Sequence, residues 1–81
     1  MRFSTSDTGV AATLLSKSFS VIRLNREKDV EKKRVYLEFE DCKELQEVVD
    51  KYWREEDLGI PPLTLLLNYK KAKHMCFDRQ I

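Results

Sequence analysis

Residues 34–40 constrain the fold more than any other segment, because their apolar and polar side chains alternate. Successive side chains of a strand point to opposite faces, so Val35, Leu37 and Phe39 share one face. The other face carries Tyr36 and two carboxylates, Glu38 and Glu40, which we expect to be solvated. The alternation therefore predicts a half-buried strand of an antiparallel sheet.

A helix is predicted to follow this strand over about residues 42–55. Asp41 and Glu44 have the spacing of a capping box, in which each side chain bonds to the other residue's backbone N–H. The apolar residues that come next fall on one helical face: Leu45, Val48, Val49, Tyr52 and Trp53. We expect one of Tyr52 and Trp53 to be core and the other to be partly exposed.

The rest of the chain completes a small α+β domain. Residues 2–4 could form a short strand, and residues 19–24 read as a strand because β-branched and aromatic side chains dominate. Ser6 or Asp7 can cap a helix over about 7–17, and Pro61-Pro62 favours a helix over about 62–76. The charged residues 25–33 are predicted to be a solvated loop or the tip of a hairpin. The order (β)αββαα predicts an antiparallel hairpin, with a possible third strand, packed by about three helices in a single domain of residues 1–81.

Length and composition exclude several classes of protein. An 81-residue chain with 36% charged residues holds no apolar run of the roughly 20 residues that a membrane span requires. The first residues lack the apolar stretch of a signal peptide, so we expect a cytoplasmic protein without membrane contact. Two cysteines do not make a disulfide framework.

The sequence also resembles a family of short, uncharacterised bacterial and phage proteins that is catalogued as a domain of unknown function. The resemblance spans residues 3 to about 76 and rests on these segments: 4–7, 11–15, 17–19, 35–41, 44–45 and 52–53. The chain departs from that pattern at Ser18, where the family favours glycine, and in the long charged segment 25–33. The resemblance implies a similar fold and a bacterial or phage setting, but no activity.

No arrangement of residues predicts catalysis, a metal or a cofactor. Cys42, His74 and Cys76 lack metal-ligand spacing, and a helix directs side chains two residues apart to different faces. The only glycines are Gly9 and Gly59, so a glycine-rich phosphate loop is absent. We therefore expect a binding protein and not an enzyme.

A protein interface is the favoured function. Residues 63–67 contain four leucines, more than one helix face can bury in so small a monomer. Tryptophan and tyrosine are enriched where protein partners bind most strongly. The candidate interface residues are Trp53, Leu63, Leu65 and Leu67, with the edge of the 19–24 strand. The expected partner is a second copy of the chain, or another bacterial or phage protein.

Nucleic-acid binding is the alternative. Two basic segments flank an acidic middle, residues 38–57, in which nine acidic residues stand against three basic ones. If the basic segments converge they could contact phosphates. The residues of this alternative site are Lys32, Lys33, Arg34, Lys70, Lys71 and Lys73.

Overall fold

The computed structural model describes residues 2–29 and 34–77, which form three strands and three helices. In chain order they are β1 (Arg2–Thr5), α1 (Thr8–Ser16), β2 (Val21–Asp29), β3 (Arg34–Glu40), α2 (Lys43–Trp53) and α3 (Pro62–Phe77). The predicted α+β class, the order of the elements and the N-terminal strand are confirmed.

The strands form one antiparallel sheet in the order β1-β3-β2, with the alternating strand β3 at its centre. Phe39 lies opposite Phe3 on one side and Val21 on the other. Val35, Leu37 and Phe39 are buried, as the alternation predicted. Within the described residues β2 is an edge strand. Its predicted role as part of an interface stays a prediction.

The strand β2 is longer than the sequence indicated. The prediction of a loop is wrong for residues 25–29, which continue β2 as far as a pairing of Asp29 with Arg34. Residues 30–33 lie outside the described part of the chain. Strand pairing satisfies backbone N–H and C=O groups whatever the side chains are, so a charged segment can continue a strand when its backbone has a partner.

The helices cover one face of the sheet and enclose the core. Its fully buried residues come from all three helices and from β3: Val10, Ala11, Leu14, Leu37, Phe39, Leu45 and Ala72. The closest association of helices is that of α1 with α3. Each of these two helices contributes a buried alanine to the core, Ala11 and Ala72, and small side chains let helix backbones approach each other.

Both ends of α1 are closed by hydrogen bonds. The Asp7 carboxylate accepts hydrogen bonds from the N–H groups of Gly9 at 2.8 Å and Val10 at 3.2 Å, which confirms the predicted N-cap. At the other end Ser18 is left-handed, with φ 74°. The Phe19 N–H donates to the Leu14 carbonyl at 3.0 Å. This is the C-terminal cap usually made with glycine, and Ser18 forms it with a side chain in place.

The start of α2 differs from the predicted capping box. Cys42 is the N-cap residue, and its side chain makes no capping hydrogen bond. Asp41 precedes the N-cap residue, and its carboxylate accepts a hydrogen bond from the side-chain amide of Gln46 at 3.0 Å. The side-chain pairing that the spacing of Asp41 and Glu44 predicted is therefore wrong, although the helix itself begins within one residue of the expected position.

Candidate functional site

The candidate site lies on α3, whose orientation is fixed by one buried residue. Ala72 is fully buried against α1 and the sheet. An α-helix turns by about 100° per residue, so Leu63 and Lys70 lie roughly opposite Ala72. We call this side of α3 its outer face. Pro62 starts the helix, and the Leu65 N–H already donates to the Pro61 carbonyl at 3.0 Å.

Three leucines of the outer face form an exposed apolar patch. Leu63 is 66% exposed, Leu66 48% and Leu67 57%. Their spacing of three and four residues makes them neighbours on the helix surface. We call these three residues the leucine patch. No described element covers the leucine patch. The first two turns of α3, residues 62–69, contain no charged residue.

Leu65 does not belong to this patch. It lies about 160° around the helix from Leu67, is only 36% exposed, and lines a groove of about 300 Å³ with Thr13 and Tyr52. The structure therefore separates Leu65 from the two leucines grouped with it by the sequence. It brings Leu66 in instead, a residue that the candidate set omitted.

Tyr52 and Trp53 lie at the end of α2. Trp53 is 62% exposed and Tyr52 is half-buried against the core. The two residues differ in burial as predicted, but Tyr52 is not a fully buried core residue and Trp53 is more exposed than expected. Their rings meet edge to face, with centroids 5.0 Å apart. Burial raises the pKa of Tyr52, and the neighbouring Asp7 and Tyr69 raise it further. Tyr52 thus connects Trp53 with the first turns of α1 and with α3.

The basic residues of α3 follow the leucine patch along the same helix. Lys70, Lys71 and Lys73 are exposed, and we call them the lysine cluster. Within residues 2–29 and 34–77 none of them forms an ion pair. Lys32 and Lys33 lie outside the described residues, and Arg34 is the first residue of β3. The predicted convergence of the two basic segments therefore stays a prediction.

An acidic segment adjoins the start of α3. Glu55, Glu56 and Asp57, which we call the acidic loop, line the same groove as Leu65. Glu55 is left-handed, with φ 61°, and ends α2. Arg54 pairs with Asp50 at 3.0 Å and Glu56 at 3.3 Å, and these contacts raise its pKa, Asp50 contributing most. The fold brings these acids beside Leu65, a neighbourhood that the sequence did not predict.

The polar face of the sheet has a different role. Glu38 is only 7% exposed, so the expectation of a solvated carboxylate is wrong for this residue. Its carboxylate accepts from Asn25 at 2.9 Å and Arg2 at 3.3 Å, and the Arg23 Nε lies 4.0 Å away. The hydrogen bond from Asn25, together with the two arginines, lowers the pKa of Glu38 although burial opposes the change. Side chains from both edge strands therefore cover the central carboxylate and satisfy it.

The described residues offer neither a cluster of metal ligands nor a helix able to span a membrane. No group of three His, Cys, Asp or Glu side chains in 2–29 and 34–77 is placed to hold a metal ion. In the same part of the chain no helix combines the length and the apolar character that crossing a bilayer requires.

Comparison with known proteins gives a family and no activity. The model of a domain of unknown function, DUF5659, matches residues 1–76. No curated protein and no solved structure shows significant similarity. The match covers nearly the whole chain, including every described strand and helix except the last residue of α3. The chain therefore belongs to the DUF5659 family.

Proposed function

We propose that this protein is a non-catalytic binding module that self-associates through the outer face of α3. The observation that carries the proposal is the leucine patch: three adjacent leucines, each about half exposed or more, on a helix side that no described element covers. Apolar patches rimmed by polar residues commonly mark interaction sites on small soluble domains.

The energetics favour a weak, concentration-dependent association. Burying a leucine fully contributes roughly 1.5–3 kcal/mol, and these leucines have about half of that still to gain. A dimer buries the patch of both copies, so the summed free energy gained by burying the leucines is comparable with the free-energy cost of association, roughly 4–15 kcal/mol. Additional apolar or charged contacts are then needed for a stable dimer. Trp53, 62% exposed at the end of α2, is the largest exposed side chain available for this purpose.

The test measures mass against concentration, by light scattering on a sizing column, for the natural chain and two variants. The triple variant L63S/L66S/L67S removes the leucine patch from an exposed face, so circular dichroism should show it folded. The control I22S removes an apolar side chain of similar exposure, 46%, from the edge strand β2. We expect the natural chain and I22S to dimerise and the triple variant to be monomeric.

The opposite results would overturn the proposal. A natural chain that stays monomeric at millimolar concentration would exclude self-association. A dimer that survives L63S/L66S/L67S but is lost in I22S would transfer the contact to the edge of β2. Trp53 is the only tryptophan, so its emission supplies a second readout. We expect a red shift on dilution if Trp53 is covered in the dimer.

Nucleic-acid binding is a second candidate, supported by one observation. The lysine cluster is exposed and, among the described residues, unpaired. Phosphate contacts weaken steeply as salt rises, because each contact releases condensed counterions. Binding of a single-stranded oligonucleotide that disappears between about 50 mM and 500 mM salt, and in K70E/K71E/K73E, would support this function.

A further inference from the structure

We infer that the groove between α3 and the acidic loop binds an arginine side chain of a partner protein. This surface is separate from the one used in the proposed function, because Leu65 in the groove lies about 160° around α3 from Leu67 in the leucine patch. The inference therefore goes beyond self-association and can be tested apart from it.

All three helices contribute to the lining of the groove. Thr13 comes from α1, Tyr52 from α2 and Leu65 from α3. Leu58 and Ile60, which are both half-buried, come from the segment between α2 and α3. The volume of about 300 Å³ is at the lower end of the range for ligand sites. The groove therefore suits one long side chain with an apolar stem.

The charged side chains that line the groove are all acidic. They are the three carboxylates of the acidic loop, and no described lysine or arginine lines the groove with them. Glu56 pairs with Arg54 at 3.3 Å. Within residues 2–29 and 34–77 neither Glu55 nor Asp57 forms an ion pair. The groove therefore attracts a cation and repels an anion such as a phosphate.

The arrangement of the carboxylates favours an extended cation over a metal ion. The acidic loop belongs to the described residues, in which no three acidic, His or Cys side chains are placed to hold one metal ion. A guanidinium carries five N–H donors in one plane and can bond to separate carboxylates, while the arginine stem covers apolar surface. It also stacks on aromatic rings, and Tyr52 supplies one in the groove. Arg54 already bonds in this way, because its guanidinium contacts Asp50 at 3.0 Å and Glu56 at 3.3 Å.

Hydrogen bonds hold the acidic loop in place. The Glu56 N–H donates to the Lys51 carbonyl at 3.0 Å. The Asp57 carboxylate accepts from the Gly59 N–H at 2.8 Å. Because the groove is formed before the partner arrives, binding has few additional groups to order.

The experiment titrates the protein with a blocked peptide that carries one arginine between two leucines, and follows the amide NMR signals. The control peptide has citrulline in place of arginine, which keeps the shape of the side chain and removes its charge. We expect only the arginine peptide to shift the amide signals of Leu58 and Ile60 at about 50 mM salt, and we expect the binding to weaken as salt rises.

Two matched variants locate the contact. E55Q/D57N removes two charges from the groove, and the asparagine oxygen can still accept the Gly59 N–H. This variant should bind the arginine peptide about fivefold more weakly or worse. E44Q/E47Q removes the same charge from a neighbouring groove and should bind as the natural chain does. Circular dichroism should show both variants folded.

Several results would overturn the inference. They are an absence of shifts at millimolar arginine peptide, equal binding of the citrulline peptide, and an equal loss of binding in E44Q/E47Q, which would reduce the effect to net charge. An arginine peptide that dissociates a dimer of the natural chain would assign the groove to a second copy and overturn a separate partner. L63S/L66S/L67S should bind the peptide normally, so a failure of self-association leaves this inference standing.

Discussion

Gly9 and Tyr52 should be energetically coupled, because the Tyr52 hydroxyl occupies the space that a side chain on Gly9 would need. A Cβ placed on Gly9 would overlap that hydroxyl and would lie 3.2 Å from Cζ of the same ring. It would also lie 3.1 Å from the Asp7 carboxylate. Glycine in the first turn of α1 is therefore a packing requirement and not merely a weakness of the helix. We expect Gly9→Ala to displace the Tyr52 ring.

The magnitude follows from two opposing contributions. Alanine in place of glycine stabilises a helix by about 0.5–1 kcal/mol. Overpacking a site of this kind costs about 1–3 kcal/mol. Gly9→Ala should thus lower the free energy of unfolding by roughly 1 kcal/mol. In a Tyr52→Phe background the overlapping oxygen is gone, so the same change should be neutral or stabilise by up to about 1 kcal/mol. The coupling energy is then about 1–2 kcal/mol.

The assay is urea denaturation of all four proteins of the cycle, followed by circular dichroism. Protein concentration must be low and identical throughout, since self-association would stabilise the folded chain by mass action. The contact with Asp7 is present in both backgrounds, so its cost cancels in the cycle. If Gly9→Ala changes stability by the same amount with Tyr52 and with Phe at that position, the close approach of the hydroxyl to α1 is refuted.

Two further predictions concern the helix end at Ser18 and the buried carboxylate. Ser18→Gly should raise the free energy of unfolding by about 0.5–1 kcal/mol, because Ser18 has a φ of 74° that glycine adopts without strain. A lower free energy of unfolding in urea denaturation would contradict the role of Ser18 as the left-handed cap of α1. The pKa of Glu38 is lower in the folded chain than its ordinary value of 4.5. The ionised carboxylate therefore stabilises the folded chain above pH 4.5, and this stabilisation is lost as the pH falls through the folded-state pKa. Glu38→Gln should therefore weaken the dependence of stability on pH below 4.5, and an unchanged acid limb in denaturation curves would contradict this role.

The sequence predicts an element well where the spacing of its apolar residues matches the spacing of its buried residues. In β3 the alternation of apolar and polar residues coincides with one buried face, so its bounds follow from the sequence alone. In α2 the apolar stripe that begins at Leu45 predicts the helix, although Leu45 alone of the stripe is buried and Trp53 at its end is exposed. The extension of β2 to Asp29 was not predictable from side-chain hydropathy, because it depends on backbone pairing with β3. The burial of Glu38 depends on Arg2 and Asn25, which lie on two other strands.

The candidate site was predictable in location but not in detail. Leucines surround the first two turns of α3, so periodicity cannot show which of them faces the core. Only contact with α1 fixes that, through the burial of Ala72. The sequence nonetheless contains a signal that Leu65 faces the core. Ala72 is seven residues beyond Leu65, about two helical turns, so the two lie on nearly the same face. A small apolar residue among lysines indicates that this face packs closely. This signal assigns Leu65 to the core side of α3 and leaves Leu66 as the better candidate for the exposed surface.

Within the described residues the leucine patch has no layer of structure over it. The described elements form one sheet with helices on a single face, and α3 already uses the Ala72 side for the core. A third layer over α3 would require a further helix or sheet, which residues 2–29 and 34–77 do not provide. The chain has 36% charged residues, yet none lies among residues 62–69, and three lysines follow within the next four positions. Charge is thus excluded from the centre of this surface and concentrated at its edge, which is the pattern expected of a small interface with an apolar centre and a polar rim.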